Sequence, residues 1–94
     1  MMINISAKID NWRDGQKIIL TTNNHTHELQ IPANENGNGS KANGGETLFL
    51  ALATCYCNDI YREAKQWDIE VTQVEVTCEG SFEPIPGSIA QGVT

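Results

Sequence analysis

The chain has 94 residues, with six basic and twelve acidic side chains, a formal net charge of −6 and a pI near 4.6. So acidic a chain lacks the basic surface that nucleic acid or an anionic membrane requires, and no run approaches the roughly 20 apolar residues of a membrane span. With 39% apolar and 19% charged residues, the composition predicts one folded domain over residues 1–94 and not a disordered chain.

The N-terminus and the cysteines indicate the compartment. The first ten residues, MMINISAKID, have neither the basic nor the apolar region of a signal peptide. Three cysteines is an odd number, which argues against a framework built only of disulfides. The expected location is therefore the cytoplasm.

The N-terminal third is typical of a three-stranded antiparallel meander. Apolar and polar residues alternate over residues 3–9, which predicts a half-buried strand. The Asp-Gly pair at 14–15 and the Asn-Asn pair at 23–24 are turn signals. The first turn is followed by KIILTT, the second predicted strand, and the second turn by HTHELQI, the third.

A polar loop follows at residues 32–45, PANENGNGSKANGG, to which no regular element fits. Long loops in small domains are commonly functional or mobile, and a plain connector is the equally weighted alternative. We expect residues 33–45 to be the most mobile internal segment, with fast amide exchange up to about Asn43 and sharp protection after it.

A long helix is predicted from Glu46 to about Trp67. Asn43 and Glu46 have the spacing of a capping box. The first half of the helix is apolar on all sides. The second half has one apolar stripe and carries its charged residues on the other sides. The stripe has the three- and four-residue steps of an amphipathic helix: Phe49, Ala53, Tyr56, Ile60, Ala64 and Trp67. We therefore expect a sheet on one side of the helix and a second subunit on the other.

The remaining residues predict a further long strand. In residues 68–80, DIEVTQVEVTCEG, apolar and polar residues alternate. The apolar residues change from odd to even positions at Thr72-Gln73, which indicates a bulge or bend. FEPIPGS contains two prolines and is expected to be a turn or an edge. The predicted fold class is thus α+β, with a meander, a central helix and another strand.

The residues alone do not support a metal or cofactor site. On a helix, the side chains of Cys55 and Cys57 diverge by about 200°, so they cannot bind one ion together. His25 and His27 point the same way on a strand and could do so, but two exposed histidines on an edge strand are the preferred interpretation. On composition alone, the cysteines are interpreted as small buried hydrophobes.

Three stretches resemble the OsmC/Ohr family (osmotically inducible protein C and organic hydroperoxide resistance protein). GGETLFLALATCYCNDI resembles the family's helix start, with Glu46 matching its acid and Cys55 its cysteine. SAKIDNWRDGQKII resembles the first hairpin, in which Arg13 matches an arginine of the turn, and DIEVTQVEVTCEG is similar to the strand after the helix. The nine-residue spacing from Glu46 to Cys55 is that of the general OsmC-like branch. Family members are roughly one and a half times this length, so the C-terminal half is expected to be lacking.

The resemblance implies a fold, an assembly and a reaction. Members are α+β proteins that form intertwined homodimers, with their sites at the dimer interface, and the active ones reduce organic hydroperoxides in the response to oxidative stress. By that likeness Cys55 would be the attacking thiolate, and Arg13 would hold the thiolate and the peroxide oxygen. Glu46 would orient Arg13 by a bidentate pair, and Cys55 would become a sulfenic acid.

The second half-reaction leaves alternatives open. The family's resolving cysteine lies past residue 94, Cys57 faces elsewhere, and Cys78 could serve only if its strand packs over Cys55. Otherwise an external thiol reductant would have to complete the cycle. Three hypotheses follow: a thiol-dependent hydroperoxide reductase, a non-catalytic OsmC-like dimer that binds a small apolar ligand, and a structural fragment whose cysteines belong to the core.

Overall fold

The computed structural model describes residues 2–83, which form a small α+β arrangement. Three strands, β1 (Ile5–Trp12), β2 (Gly15–Thr22) and β3 (His25–Leu29), precede one helix, α1 (Gly44–Gln66). The strands form an antiparallel sheet in the order β1-β2-β3, so the predicted meander and helix are confirmed. Two compact units divide between Leu48 and Phe49, and the sheet belongs to the first. Within residues 2–83, no helix combines the length and apolarity needed to cross a bilayer.

Both hairpins of the meander have two-residue turns. Arg13 and Asp14 connect β1 to β2, because Gly15 already pairs with Trp12. The turn therefore lies one residue earlier than the Asp-Gly pair at 14–15 predicts. Asn23 connects β2 to β3 with a φ of 54°, in the left-handed region that asparagine tolerates. Its side chain also accepts a hydrogen bond of 3.0 Å from the backbone N–H of Asn4.

The sheet is amphipathic, and its apolar face is largely open. Ile18 of β2 lies opposite Ile9 on one side and Leu29 on the other, and residues directly opposite each other share a face of a sheet. The other face carries charged side chains, among them Lys8, Asp10, Lys17 and Glu28. Among the described residues, Ile18 is the one buried hydrophobic residue, with 9% of its surface exposed. Strand β1 is exposed along its whole length.

Between β3 and α1 there is no further strand or helix, as the sequence of residues 32–45 predicts, but hydrogen bonds order the first part of this segment. Ala33 and Ser40 form an antiparallel bridge, and the backbone N–H of Asn34 donates to the carbonyl of Gly39 at 2.8 Å. Three consecutive residues at the tip have positive φ: Gly37 at 85°, Asn38 at 56° and Gly39 at 94°. Residues 33–40 therefore form a small hairpin, hereafter the loop hairpin. Because it has no apolar alternation, the pattern of the sequence did not reveal it.

Helix α1 buries part of one face in the second unit. Phe49, Ala53 and Ala64 are half-buried there, as the predicted stripe requires. Tyr56, Ile60 and Trp67 were also assigned to that stripe, but they are 65%, 42% and 73% exposed. The assignment was wrong for these three, because the half-buried face runs in four-residue steps from Phe49 through Ala53 to Cys57.

The predicted long strand at residues 68–80 is not a strand in this structure. A strand requires a neighbour for its hydrogen bonds, and none of the residues described provides one to this segment. It packs back against α1 instead. A Cβ on Gly80 would lie 2.5 Å from the ring of Phe49, and the rings of Phe49 and Phe82 are 5.7 Å apart. The predicted alternation survives, because Val74, Val76 and Cys78 are half-buried. The prolines of the predicted turn lie outside the described residues.

Candidate functional site

The helix begins with the capping box that the sequence predicts. The backbone N–H of Glu46 donates to Oδ1 of Asn43 at 2.8 Å, and the N–H of Asn43 donates to Oε1 of Glu46 at 2.9 Å. The hydroxyl of Thr47 donates to the Asn43 carbonyl at 2.9 Å. One carboxylate oxygen of Glu46 is thus occupied in stabilising the first turn of α1.

The capping box predicts a local loss of stability. Asn43→Ala removes the side-chain acceptor from the first turn and is expected to cost about 1 kcal/mol of the free energy of unfolding. Glu46→Gln retains an oxygen that can accept from the Asn43 N–H, so we expect a smaller loss. Urea unfolding followed by circular dichroism measures both. Equal stability of Asn43→Ala and wild type would contradict the assigned role of the cap.

Arg13 lies at the β1–β2 turn, where its neighbour is the loop hairpin. Its carbonyl accepts a hydrogen bond of 3.1 Å from the backbone N–H of Asn38. A Cβ on Gly37 would lie 3.7 Å from this carbonyl oxygen and 3.9 Å from Cγ of Arg13. Arg13 and Glu46 form no ion pair, since the single salt bridge within residues 2–83 joins Arg62 to Asp59. The structure thus brings Arg13 to the loop hairpin but does not pair it with Glu46.

Two side-chain amides that sequence reasoning missed connect the turn to the loop. Gln16, at the start of β2, shares its two Nε2 hydrogens among three oxygens: those of the Ile31 carbonyl at 2.8 Å, the Pro32 carbonyl at 3.1 Å and the Ser40 hydroxyl at 3.0 Å. Asn11 donates from Nδ2 to Oε1 of Gln16 at 3.0 Å, and its Oδ1 accepts from the N–H of Gly39 at 2.8 Å. We call Asn11 and Gln16 the amide staple. They lie opposite each other in β1 and β2, whereas a turn at Asp14-Gly15 would have placed Asn11 opposite Ile18, so the predicted hairpin gave no signal for this pair.

The three cysteines have different surroundings in the second unit. All are free thiols; Cys55 is exposed, whereas Cys57 and Cys78 are half-buried. Cys57 lines a cavity of about 250 Å³ with Ala53 and Val74. The ion pair of Asp59 and Arg62 lies about one turn beyond Cys55 on α1. Both side chains of this pair are more than half exposed.

An apolar cavity of about 330 Å³ lies in the first unit. Its wall is the apolar face of the sheet, including Ile9, Ile18 and Leu29, and its rim includes Ser40 and Thr47. Small-molecule sites in proteins have volumes of this order and mostly apolar walls. The cavity could therefore accept a small apolar molecule.

The two histidines lie on β3, where both are exposed. His27 is opposite Leu20, and His25 is opposite Thr22, so the two side chains share one face of the sheet. In the part of the chain that the structure describes, no group of three or more potential ligands is arranged to hold a metal ion.

Comparisons with known proteins assign no roles to these residues. No family model matches the chain, and neither a curated protein nor a solved structure matches it. The roles of Arg13, Glu46 and Cys55 therefore depend on the contacts above and on the short motifs in which these residues occur.

Proposed function

We propose that the chain is one subunit of an OsmC-like homodimer in which Cys55 reduces an organic hydroperoxide. The observation that carries the proposal is the exposure of Cys55, the one exposed cysteine of the three. A peroxide must reach the sulfur directly, and reactive thiols accordingly lie at accessible positions. The order of a meander followed by a capped helix also agrees with the arrangement that the resemblance implies.

The first half-reaction transfers one oxygen to the thiolate of Cys55. The sulfur attacks one peroxide oxygen, a sulfur–oxygen bond forms as the oxygen–oxygen bond breaks, and the departing alkoxide takes up a proton to leave as an alcohol. Cys55 is thereby oxidised to a sulfenic acid, and the hydroperoxide is reduced. Arg13, supplied at the dimer interface, stabilises the thiolate and the negative charge that develops on the alkoxide.

The second half-reaction uses a thiol from outside the chain. An external thiol condenses with the sulfenic acid, which releases water and forms a mixed disulfide, and a second thiol then restores the Cys55 thiol. This assignment is favoured because Cys57 packs beside Ala53 and Val74 and Cys78 is half-buried. A thiol in such a position has little freedom to reach another residue.

The test is consumption of cumene hydroperoxide with dithiothreitol as the reductant. We expect wild type to consume the peroxide and to yield a trapped sulfenic acid on Cys55 by mass spectrometry. Cys55→Ser should lose both signals, whereas the matched variants Cys57→Ser and Cys78→Ser should retain the rate to within about twofold, because neither thiol has a role in the mechanism. Equal rates for wild type and Cys55→Ser, or no sulfenic acid in wild type, would exclude the proposal.

The apolar cavity favours a second candidate function, binding of a small apolar ligand without catalysis. Its support is the wall of Ile9, Ile18 and Leu29 in a cavity of about 330 Å³. Titration with an uncharged fluorescent hydrocarbon probe tests it. Saturable binding that persists in Cys55→Ser, together with no consumption of hydroperoxide by wild type, would support this candidate over the reductase.

A further inference from the structure

We propose that the amide staple and the loop hairpin form a positioning device for Arg13, in which Asn11 and Gln16 hold residues 33–40 against the β1–β2 turn. The functional meaning of this device rests on the role proposed for Arg13, whereas its effect on the turn can be measured independently. Gln16 and Asn11 are positioning residues in this proposal, because they act through Arg13 and do not touch the substrate.

The turn that carries Arg13 would be a free tip without the loop hairpin. Arg13 and Asp14 are the only two residues between β1 and β2, and both are exposed. The loop hairpin contacts this tip from one side, since the N–H of Asn38 donates to the Arg13 carbonyl at 3.1 Å. Gly37 lies alongside the start of the Arg13 side chain, where a Cβ would be 3.9 Å from Cγ. The loop thus restrains the backbone of the turn, and the absence of a Cβ at Gly37 leaves space beside the Arg13 side chain.

The staple in turn fixes the loop hairpin at both of its ends and near its tip. Gln16 contacts the carbonyls of Ile31 and Pro32, which enter the loop hairpin, and the hydroxyl of Ser40, which ends it. Asn11 accepts from the N–H of Gly39, next to the tip. The bond from Asn11 Nδ2 to Gln16 Oε1 joins the two amides. The contacts from the two amides to residues 31–40 span 15 to 28 residues of sequence, so they are tertiary restraints and not local turn geometry.

Restraint of the turn matters because an arginine side chain loses much conformational freedom when it is held in one geometry. A backbone fixed in advance lowers that cost at the moment when the guanidinium binds an anion. The staple therefore limits where the backbone of Arg13 can go before the substrate arrives, so that its exposed side chain starts from a fixed position.

Gln16→Glu tests the device with almost no change of shape. The glutamate cannot donate, so the bonds to the loop oxygens are lost, while Asn11 can still donate to Oε1. Gln30→Glu is the matched control, because it adds the same charge in the same unit at an exposed position. In Gln16→Glu we expect amide exchange at Asn38 and Gly39 to be about tenfold faster, and the ¹⁵N heteronuclear NOE of Arg13 to fall. Gln30→Glu should leave both at wild-type values.

Hydroperoxide turnover provides the second readout. We expect Gln16→Glu to lower kcat/KM about tenfold with Cys55 still exposed, and Gln30→Glu to leave it within twofold. A lower NOE at Arg13 together with slower turnover supports the device. Unchanged order at Arg13 in Gln16→Glu overturns it, and so does normal turnover of Gln16→Glu alongside impaired Arg13→Ala. If wild type consumes no hydroperoxide, the proposed function fails, and the NOE and exchange data still decide whether the staple fixes the turn.

Discussion

Arg13→Ala is expected to slow the alkylation of Cys55 by iodoacetamide at neutral pH about tenfold or more. Only the thiolate reacts, and a nearby cation increases the fraction of thiol present as thiolate. One favourable charge interaction of about 1.4 kcal/mol corresponds to a factor of ten. Arg13→Lys should recover only part of the rate, because a lysine keeps the charge but lacks the planar guanidinium with its several fixed donors. A mass-spectrometric time course on the three proteins measures the rates.

Internal and matched controls make this result specific. Cys57 and Cys78 are labelled in the same sample, and we expect Cys55 to react first because it alone among the three is exposed. Arg62→Ala removes the other arginine, which is bound to Asp59, and should change the Cys55 rate less than twofold. If Cys55 reacts no faster than Cys78, the catalytic interpretation fails. If Arg62→Ala slows the reaction and Arg13→Ala does not, the assisting cation is Arg62.

Leu52→Lys is expected to weaken the proposed homodimer about 30-fold or more. Leu48, Leu52 and Tyr56 follow each other at four-residue steps on α1 and are exposed, Leu52 by 44%. Exposed apolar stripes of this kind mark interaction surfaces, and loss of a central apolar anchor costs an interface about 2 kcal/mol. Lysine is a good helix former, so the helix itself should persist. Sedimentation over a micromolar concentration series measures the dissociation constant.

The control for the dimer is Asn58→Lys, which places the same charge at an exposed position of the same helix. It should leave the sedimentation unchanged. Phe49 would be a poorer test, because Phe82 of its own chain lies against it, with 5.7 Å between the ring centroids. A wild-type chain that stays monomeric at micromolar concentration would remove the basis for the dimer.

The sequence predicted those elements that local rules determine. The alternation around Ile9 and the turn at Asn23 led to the correct meander. The spacing of Asn43 and Glu46 led to the correct helix start, because a capping box is complete within four residues. In each case the residues that share a hydrogen bond are either close in the chain or paired across two strands that a two-residue turn connects.

The sequence could not predict features whose partners lie far along the chain. The alternation around Val74 and Val76 is typical of a strand, but whether a strand forms depends on a neighbour that the pattern does not name. The bond from Asn11 to Gly39 crosses 28 residues, and an isolated asparagine does not indicate such a partner. Arg13 and Cys55 were selected by resemblance to short motifs, and only their exposure and neighbours come from the structure.

The indole of Trp12 makes the β1–β2 turn visible to fluorescence. It covers Gly15 so closely that a Cβ there would lie 2.9 Å from the indole nitrogen. Its emission should therefore depend on whether the residues around Arg13 are ordered. Trp67 is largely exposed beyond the end of α1, so Trp67→Phe would leave a single optical reporter. Quenching of Trp12 could then follow, in real time, how this end of the sheet responds when a ligand binds.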